Sequence, residues 1–378
     1  MRILNVIMCL DPIAGGGAVE RIYQLSKYLA MAGQECTILT TRQGWDETHV
    51  RGLGNVQVVH FPYISERYKI PIGLSGWLNS HLADFDIVHL ALNWTMINAI
   101  TYRYLRRMGR PYVMSAMGWL AISGRSRFFK HVYRRIYTSK MVRNAKRCIA
   151  ITQREESDYL SFGVHADRIV RIPNGIDPVF FSANNDEAFR AHYGLDARPI
   201  ILFVGRIDPV KGPDLLVRAF KRVAGSFPNH QVVIFGNDLN FLSELKTMVR
   251  NLDLENRIRL FGHIRGVELS WAYHAADLFV IPSRYDTMTI VALGAAASGT
   301  PILLTDRCDF VELQEAGGGL VVGCSVEGLE NGLRQLLGDP VRLRLMGQKA
   351  KEFVVSQYQW VNVCQQFIDV FQSARSLA

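Results

Sequence analysis

The 378-residue chain lacks the features that mark secreted, membrane-spanning and zinc-binding proteins. Its apolar runs are all shorter than a bilayer-spanning helix requires, and the N-terminal MRILNVIMCLDP has no signal-peptide cleavage pattern. The six cysteines are scattered, with no CxxC pair and no cysteine–histidine spacing typical of a metal site. We therefore expect a cytoplasmic protein with reduced thiols and no bound metal.

Acidic residues are absent from one long segment, residues 103–154, which holds 14 of the 43 Lys and Arg side chains. Trp119, Leu120, Phe128 and Phe129 lie among these charges. Such a basic segment suits an anionic membrane surface, a solvated surface near an anionic substrate, or a nucleic acid. Because no known nucleic-acid-binding module accompanies the charges, we expect no nucleic-acid partner and favour the inner face of the cell membrane.

Short apolar runs alternate with amphipathic helical patterns along the chain. RILNVIM, ECTILTT and DIVHLAL are typical of buried strands, and AVERIYQLSKYLAMAG is typical of a helix between the first two. The pattern restarts after the turn-forming IPNGIDP (172–178) with the strand PIILFVG. The sequence therefore predicts an α/β protein with two doubly wound Rossmann-like domains facing across a cleft, and ligands at the carboxyl ends of the strands.

Three loops carry residues suited to an anionic ligand. In AGGGAVER (14–21), glycines allow a ligand to approach the backbone just before a helix N-terminus. In VGRIDPVKG (204–212), Arg206 and Lys211 combine a planar fork of donors with a point charge, which suits a diphosphate; two solvated cations are the alternative. In RYDTMT (284–289), Asp286 can accept hydrogen bonds from hydroxyl groups or cap the following helix.

The order of these stretches resembles the retaining glycosyltransferase family 4, which has the GT-B fold. The resemblance runs from Arg2 to about Trp360 and rests on GGG…ER, IPNGID, VGRIDPVKG, RLFGHI, AADLFVIPS and SGTP. It implies an enzyme that moves a sugar from a nucleotide sugar to a glycan or polyprenol-linked acceptor in cell-surface polysaccharide synthesis. It also implies an acceptor-side domain (1–174), a nucleotide-sugar-binding domain (175–359), and a C-terminal helix (360–378) that packs back on the first.

The resemblance assigns roles to individual residues. It places Arg206 and Lys211 on the donor diphosphate and Asp286 on the donor sugar, and it implies no cofactor beyond the nucleotide-sugar substrate. The other donor-binding residues that it implies, several of them through backbone groups, are Gly16, Gly17, Gly236, Ile264, Thr287, Met288 and Thr289.

Two positions depart from the family pattern. Gly294 stands where the family has the second of two glutamates, the one that binds the ribose, and Met117 stands where it usually has a histidine. These departures support a second hypothesis, a catalytically silent nucleotide-sugar-binding partner of a glycan assembly complex.

Candidates for acceptor contact follow the strand DIVHLAL. His89 ends this predicted strand, and Asn93 and Trp94 lie on the next loop, although a single histidine in a strand is more often a core residue. The sequence shows no obvious nucleophile. The family resemblance implies retaining transfer, in which the leaving phosphate oxygen takes the acceptor proton. The Arg206–Lys211 pair fits a metal-independent reaction.

Overall fold

The computed structural model of the chain describes residues 1–11, 15–120 and 127–377. The chain divides into two compact units. The first contains Met1–Asn174 and Trp360–Ala378, and the second contains Gly175–Gln359. Each unit has its own parallel sheet and its own apolar core.

The strands are β1 Arg2–Val6, β2 Glu35–Thr41, β3 Gln57–Phe61, β4 Tyr63–Ile64, β5 Ile70–Pro71, β6 Ile87–Ala91, β7 Tyr112–Ser115, β8 Arg147–Ala150, β9 Ile169–Arg171, β10 Ile200–Val204, β11 Gln231–Phe235, β12 Ile258–Phe261, β13 Leu278–Ile281, β14 Ile302–Thr305 and β15 Gly319–Val322.

The α-helices are α1 Gly16–Met31, α2 Glu47–Arg51, α3 Leu74–His81, α4 Met96–Met108, α5 Arg127–Tyr133, α6 Ser139–Asn144, α7 Gln153–Ser161, α8 Asp186–Tyr193, α9 Pro213–Val223, α10 Leu242–Asn251, α11 Val267–Ala275, α12 Ile290–Ser298, α13 Glu312–Glu315, α14 Val326–Leu337, α15 Pro340–Gln357 and α16 Trp360–Ser376. A π-helical segment, Arg134–Thr138, joins α5 to α6.

Both large sheets have the doubly wound strand order. The first is β3-β2-β1-β6-β7-β8-β9 and the second is β12-β11-β10-β13-β14-β15, and all their pairings are parallel. Strands such as β6 and β11 are buried at every position, because helices cover both faces of a parallel sheet. The order reverses between β1 and β6, and again between β10 and β13. The predicted fold class is confirmed in each unit.

The segment that leads out of the first unit is held by a buried arginine. Arg21, on α1, is fully buried and donates to the carbonyl oxygens of Ile172 and Pro173 and to Oδ1 of Asn174, at 2.6–2.8 Å. Its guanidinium also lies 5.2 Å from the centre of the Phe367 ring on α16. The Arg of the GGG…ER pattern therefore fixes the chain just before it enters the second unit.

Candidate active site

The loops after β10 and β13 form the candidate site in the second unit. These strands flank the reversal of strand order, which is where doubly wound sheets bind ligands. Arg206 and Lys211 follow β10, and Asp286 follows β13. Nζ of Lys211 lies 2.5 Å from Oδ2 of Asp286, and their side chains are 20% and 12% exposed. The structure thus brings two of the three predicted catalytic residues into direct contact.

Asp208 orders the loop that carries the two cations. It is buried, and its Oδ1 accepts a hydrogen bond from the backbone N–H of Lys211 at 2.8 Å. Its Oδ2 lies 3.1 Å from Nε of Arg206, whose side chain remains 44% exposed. One carboxylate therefore orients both basic residues and leaves part of the Arg206 guanidinium accessible to a ligand.

Two glycines allow the backbone segments at this edge to approach closely. A Cβ on Gly212, where φ is 70°, would lie 2.1 Å from the carbonyl oxygen of Pro282, just after β13. A Cβ on Gly236 would lie 1.8 Å from the carbonyl oxygen of Gly205. Glycine is therefore needed for packing at both positions. Gly236 and Ile264 follow β11 and β12, and the Ile264 side chain is buried; nucleoside contact at either residue stays a prediction.

The backbone amides of the turn before α12 were predicted to bind the donor, and the structure shows which groups they bond. The N–H of Thr287 donates to Oδ1 of Asp286, and the N–H of Met288 donates to the carbonyl oxygen of Cys308. Both amides are bonded within the protein, and their contact with sugar or phosphate stays a prediction. Thr289 is the N-cap of α12, and the first-turn amides of Ile290 and Val291 have no partner within the helix. This helix N-terminus is the better anion-binding group.

Gly294 lies on a packed face of α12. A Cβ at this position would be 2.9 Å from Cε1 of Phe181 and 2.9 Å from Cε2 of Tyr273, and both aromatic residues are buried. Aromatic rings therefore occupy the space that a side chain at position 294 would enter.

The glycine-rich loop of the first unit lies at the N-terminus of α1. Gly16 and Gly17 are exposed there, and Gly16 has a left-handed backbone with φ of 63°. Residues 12–14, including the first residue of the AGGGAVER motif, lie outside the described part of the chain. The accessible positions of Gly16 and Gly17 are compatible with ligand contact, which stays a prediction.

Two of the three candidate acceptor residues are buried. His89 is fully buried within β6, where its ring nitrogens bond Oδ1 of Asn5 at 2.9 Å and Oγ of Ser115 at 2.7 Å. Phe367 and Phe371 of α16 pack beside its ring. His89 is therefore a core residue, and its assignment to acceptor contact is corrected.

Asn93 is also fully buried, and it connects two neighbouring segments. Its Nδ2 donates to the carbonyl oxygen of Trp119, and its Oδ1 accepts from Oγ1 of Thr138. The prediction that Asn93 contacts the acceptor is therefore corrected as well. Trp94 is partly exposed, with φ of 60° and its ring 5.6 Å from that of Tyr133, and it stays a candidate.

The buried histidine predicts a loss of stability on acidification. Burial, together with the charge of Arg21, lowers the pKa of His89 from 6.5 to about 3. The contribution of neutral His89 to the free energy of unfolding is complete above pH 6.5. It is lost as the pH falls towards 3, at up to about 1.4 kcal/mol per pH unit. We expect urea denaturation to show a smaller loss between about pH 7 and about pH 5 in His89→Gln than in the parent.

Burial raises the pKa of Glu155 to about 7, so the contribution of Glu155 to stability has the opposite pH dependence. The contribution of His89 is therefore measured as the difference between the variant and the parent. His165→Gln, at an exposed position, is the control and should keep the slope of the parent. Equal slopes in all three proteins would contradict the assignment of the acid sensitivity to His89.

Two polar residues of the site were missed by sequence reasoning. Asp208 lies between Arg206 and Lys211, and an acid between two cations was an available signal. Arg284 lies two residues before Asp286 and forms a bidentate pair with Asp214 in the first turn of α9. No sequence pattern indicates this pair, because its partners are 70 residues apart.

Family models match both halves of the chain. A model described as Glycosyltransferase Family 4 matches residues 15–180, and one described as Glycosyl transferases group 1 matches residues 185–353. A D-inositol 3-phosphate glycosyltransferase of Corynebacterium glutamicum is 31% identical over 411 residues, which cover 99% of this chain and 97% of the relative. An uncharacterised glycosyltransferase of Methanocaldococcus jannaschii is 25% identical, with 100% and 99% covered.

A solved structure shares the fold over nearly the whole chain. HepE of Anabaena, crystallised with UDP and glucose, aligns with a TM-score of 0.83 and 19% identity. The alignment covers 99% of this chain and 100% of HepE. At this identity the likeness shows a common fold.

Proposed function

This chain belongs to glycosyltransferase family 4 and has the GT-B fold, and from that premise we propose that it transfers a sugar from a nucleotide-sugar donor to a glycan or polyprenol-linked acceptor. In this proposal the anomeric configuration is retained, no metal ion is required, and the product enters cell-surface polysaccharide. The observation that carries it is the contact between Lys211 and Asp286 at the reversal of strand order.

The Lys211–Asp286 contact suits a donor with a negative and a hydroxyl-rich end. An ammonium group has three N–H donors, and the bond to Asp286 uses one of them, so Lys211 can also donate to a diphosphate. The Asp286 carboxylate, held in place by Lys211 and the Thr287 amide, can accept hydrogen bonds from sugar hydroxyls. The pair would thus hold the donor on both sides of the bond that breaks.

Charge stabilisation is the main chemical task of these residues. When the anomeric C–O bond breaks, the leaving diphosphate gains negative charge. Arg206, Lys211 and the N-terminus of α12 are suited to stabilise it, as preorganised positive groups do in other enzymes. A leaving phosphate oxygen can then take the acceptor proton on the same face, so the proposal requires no separate base and tolerates Met117.

Turnover separates the proposed enzyme from a catalytically silent binding partner. Purified protein should first be screened by thermal shift against UDP-, GDP-, ADP- and dTDP-sugars, starting with UDP-glucose because HepE was also crystallised with it. Each donor that binds is then incubated with polyprenol-phosphate-linked glycans and, given the relative described above, with D-inositol 3-phosphate. Binding without transfer or donor hydrolysis would favour the silent partner, and binding of no nucleotide sugar would overturn both proposals.

We also propose that the basic segment, residues 103–154, rests on an anionic membrane surface to reach a lipid-linked acceptor. Val132 and Ile136 are exposed one helical turn apart, with exposed Arg134 and Arg135 between them. Trp119 is 43% exposed, and Asn93 links its carbonyl oxygen to Thr138 in the same helical region. Apolar side chains beside cations are typical of surface-bound helices.

The apolar side chains expected to insert into the membrane need revision. Leu120 is 1% exposed and belongs to the core of the first unit, so it is not available for insertion. The side chains of Phe128 and Phe129 lie outside the described part of the chain. Among the described residues, no helix combines the length and apolar composition needed to cross a bilayer.

Reversing two charges should weaken binding to anionic vesicles. Each Lys or Arg at such a surface contributes about 1 kcal/mol, so Arg134→Glu with Arg135→Glu should reduce partitioning by roughly 30-fold or more. Sedimentation with phosphatidylserine-containing and with neutral vesicles measures this effect. The control is Arg344→Glu with Lys349→Glu, an equal charge change at exposed positions of α15. Absence of vesicle binding at low salt, or equal losses in both double variants, would contradict the proposal.

A further inference from the structure

Arg284 connects the two loops of the candidate site. Its backbone N–H donates to the carbonyl oxygen of Val210 at 2.7 Å, and its guanidinium donates to the carbonyl oxygen of Pro209. The same guanidinium makes two bonds to Asp214, from Nη1 to Oδ1 at 2.8 Å and from Nη2 to Oδ2 at 2.6 Å. One residue on the Asp286 loop thus contacts the loop after β10 and the start of α9.

These contacts lie on both sides of Lys211 in the sequence. Pro209 and Val210 precede Lys211, and Asp214 follows it after the left-handed Gly212. Arg284 itself is two residues before Asp286, whose carboxylate contacts Lys211. The bonds of Arg284 therefore link the segment around Lys211 to the segment around Asp286. The separation of Lys211 and Asp286 depends on this link.

We propose that Arg284 is a positioning residue, which sets the separation between Lys211 and Asp286 and so aligns the diphosphate and sugar ends of the donor. This inference rests on the proposed function of the site. Arg284 is not expected to touch the donor. It acts by holding the two donor-binding loops at one spacing.

The chemistry of the guanidinium explains why this position holds arginine. Its planar fork bonds both oxygens of one carboxylate and still reaches a backbone carbonyl, a pattern that the compact ammonium group of lysine does not reproduce. The paired Asp214 side chain is 12% exposed, and its hydrogen bonds raise the pKa of Arg284. Loss of the guanidinium would leave this carboxylate unpaired and the two loops without their side-chain connection.

The test compares UDP with UMP, because the proposed defect concerns the second phosphate. Isothermal titration calorimetry on Arg284→Ala should show roughly tenfold weaker binding of UDP, the loss expected for a charge-assisted bond. UMP binding should change by less than about twofold, since a nucleoside monophosphate does not span the two loops. GDP with GMP, and ADP with AMP, serve if the parent protein prefers another base.

Two further variants separate positioning from general destabilisation. Arg284→Lys keeps the positive charge but loses the planar fork of the guanidinium, so it should also lower the ratio of UDP to UMP affinity. It is the variant to use if Arg284→Ala does not fold. Arg334→Ala is the matched control, because Arg334 pairs with Glu330 in the same unit at similar exposure, 42% and 19% against 38% and 12%. It should leave both affinities unchanged.

The outcomes distinguish this inference from the proposed function. An unchanged affinity ratio in a folded Arg284 variant, with normal nucleotide binding by the parent, would overturn the positioning role alone. Equal losses of UDP and UMP affinity would also overturn it, because they indicate a general structural defect. If the parent bound none of the nucleoside diphosphates, the donor site itself would be overturned, and the role of Arg284 with it.

Discussion

Lys211→Ala and Arg206→Ala are each expected to reduce sugar transfer by about 100- to 1000-fold without unfolding the protein, since loss of one preorganised donor to a developing anion has that effect in other enzymes. Both side chains lie on the loop after β10, where Asp208 orients them. Neither belongs to the apolar core of the second unit. The measurement is kcat/KM with the donor identified by the screen, together with the midpoint of thermal unfolding.

The structure predicts a larger effect at Lys211 than at Arg206. The Lys211 side chain is 20% exposed and is paired with Asp286, so its loss also leaves that carboxylate without its cation. The Arg206 side chain is 44% exposed, and water can replace more of its interactions.

Conservative variants and a distant lysine complete this test. Lys211→Arg and Arg206→Lys keep the charge and should retain more activity than the alanine variants. Lys221→Ala removes a 43%-exposed cation from the last turn of α9 and should leave kcat/KM unchanged. Parental activity in both alanine variants would show that the two cations do not act on the leaving group.

The strand–helix alternation and the two loops of the candidate site could be located from the sequence because they depend on local patterns. A strand such as β10, IILFV, is a continuous apolar run bounded by glycine- and proline-containing turns, and its burial on both faces follows from a parallel sheet. Once β10 and β13 are adjacent, the residues after their carboxyl ends must be neighbours. Adjacent strands β10 and β13 place the loops that carry Lys211 and Asp286 at one edge of the sheet, whereas the 2.5 Å contact between the two side chains is seen only in the structure.

Side-chain environments set by distant segments could not be predicted in the same way. His89 is inaccessible because α16, more than 270 residues later, returns to cover β6 with Phe367 and Phe371. The amides of Thr287 and Met288 are occupied because Asp286 folds back on its own turn and the loop after β14 supplies a carbonyl oxygen. The burial of His89 and the bond from Met288 to Cys308 depend on packing between elements, which single-sequence periodicity does not report.

At position 294 a local sequence pattern and the packing of distant segments lead to different expectations. The substitution Gly294→Glu distinguishes them and has the second large effect that we expect. The family comparison suggests a missing carboxylate, and a glutamate placed there would be expected to restore ribose binding. The structure instead places Phe181 and Tyr273 against the position that a Cβ of residue 294 would occupy. We therefore expect Gly294→Glu to destabilise the protein by about 4 kcal/mol or more, because overpacking alone costs about 1–3 kcal/mol and a buried carboxylate adds a desolvation penalty.

Alanine variants measure the packing cost without the charge. Gly294→Ala should lower the free energy of unfolding by about 1–2 kcal/mol, even though alanine favours a helix over glycine by about 1 kcal/mol. Gly76→Ala in α3 is the matched control, because a Cβ at that position meets no atom within 4 Å. It should be neutral or stabilising by up to about 1 kcal/mol. Urea denaturation at neutral pH compares the two, and a Gly294→Ala variant as stable as Gly76→Ala would contradict the packing argument.

A double variant then asks whether ribose binding can be restored once space is made. Phe181→Ala removes the ring that lies 2.9 Å from the expected Cβ, so Gly294→Glu should cost less stability in the Phe181→Ala background than in the parent. If the glutamate then reaches the nucleotide, UDP should bind more tightly to the double variant than to Phe181→Ala. Equal UDP affinities in the two proteins would show that the ring is not what keeps a carboxylate from the ribose. In that case we expect the side chain at position 294 to make no contribution to UDP binding.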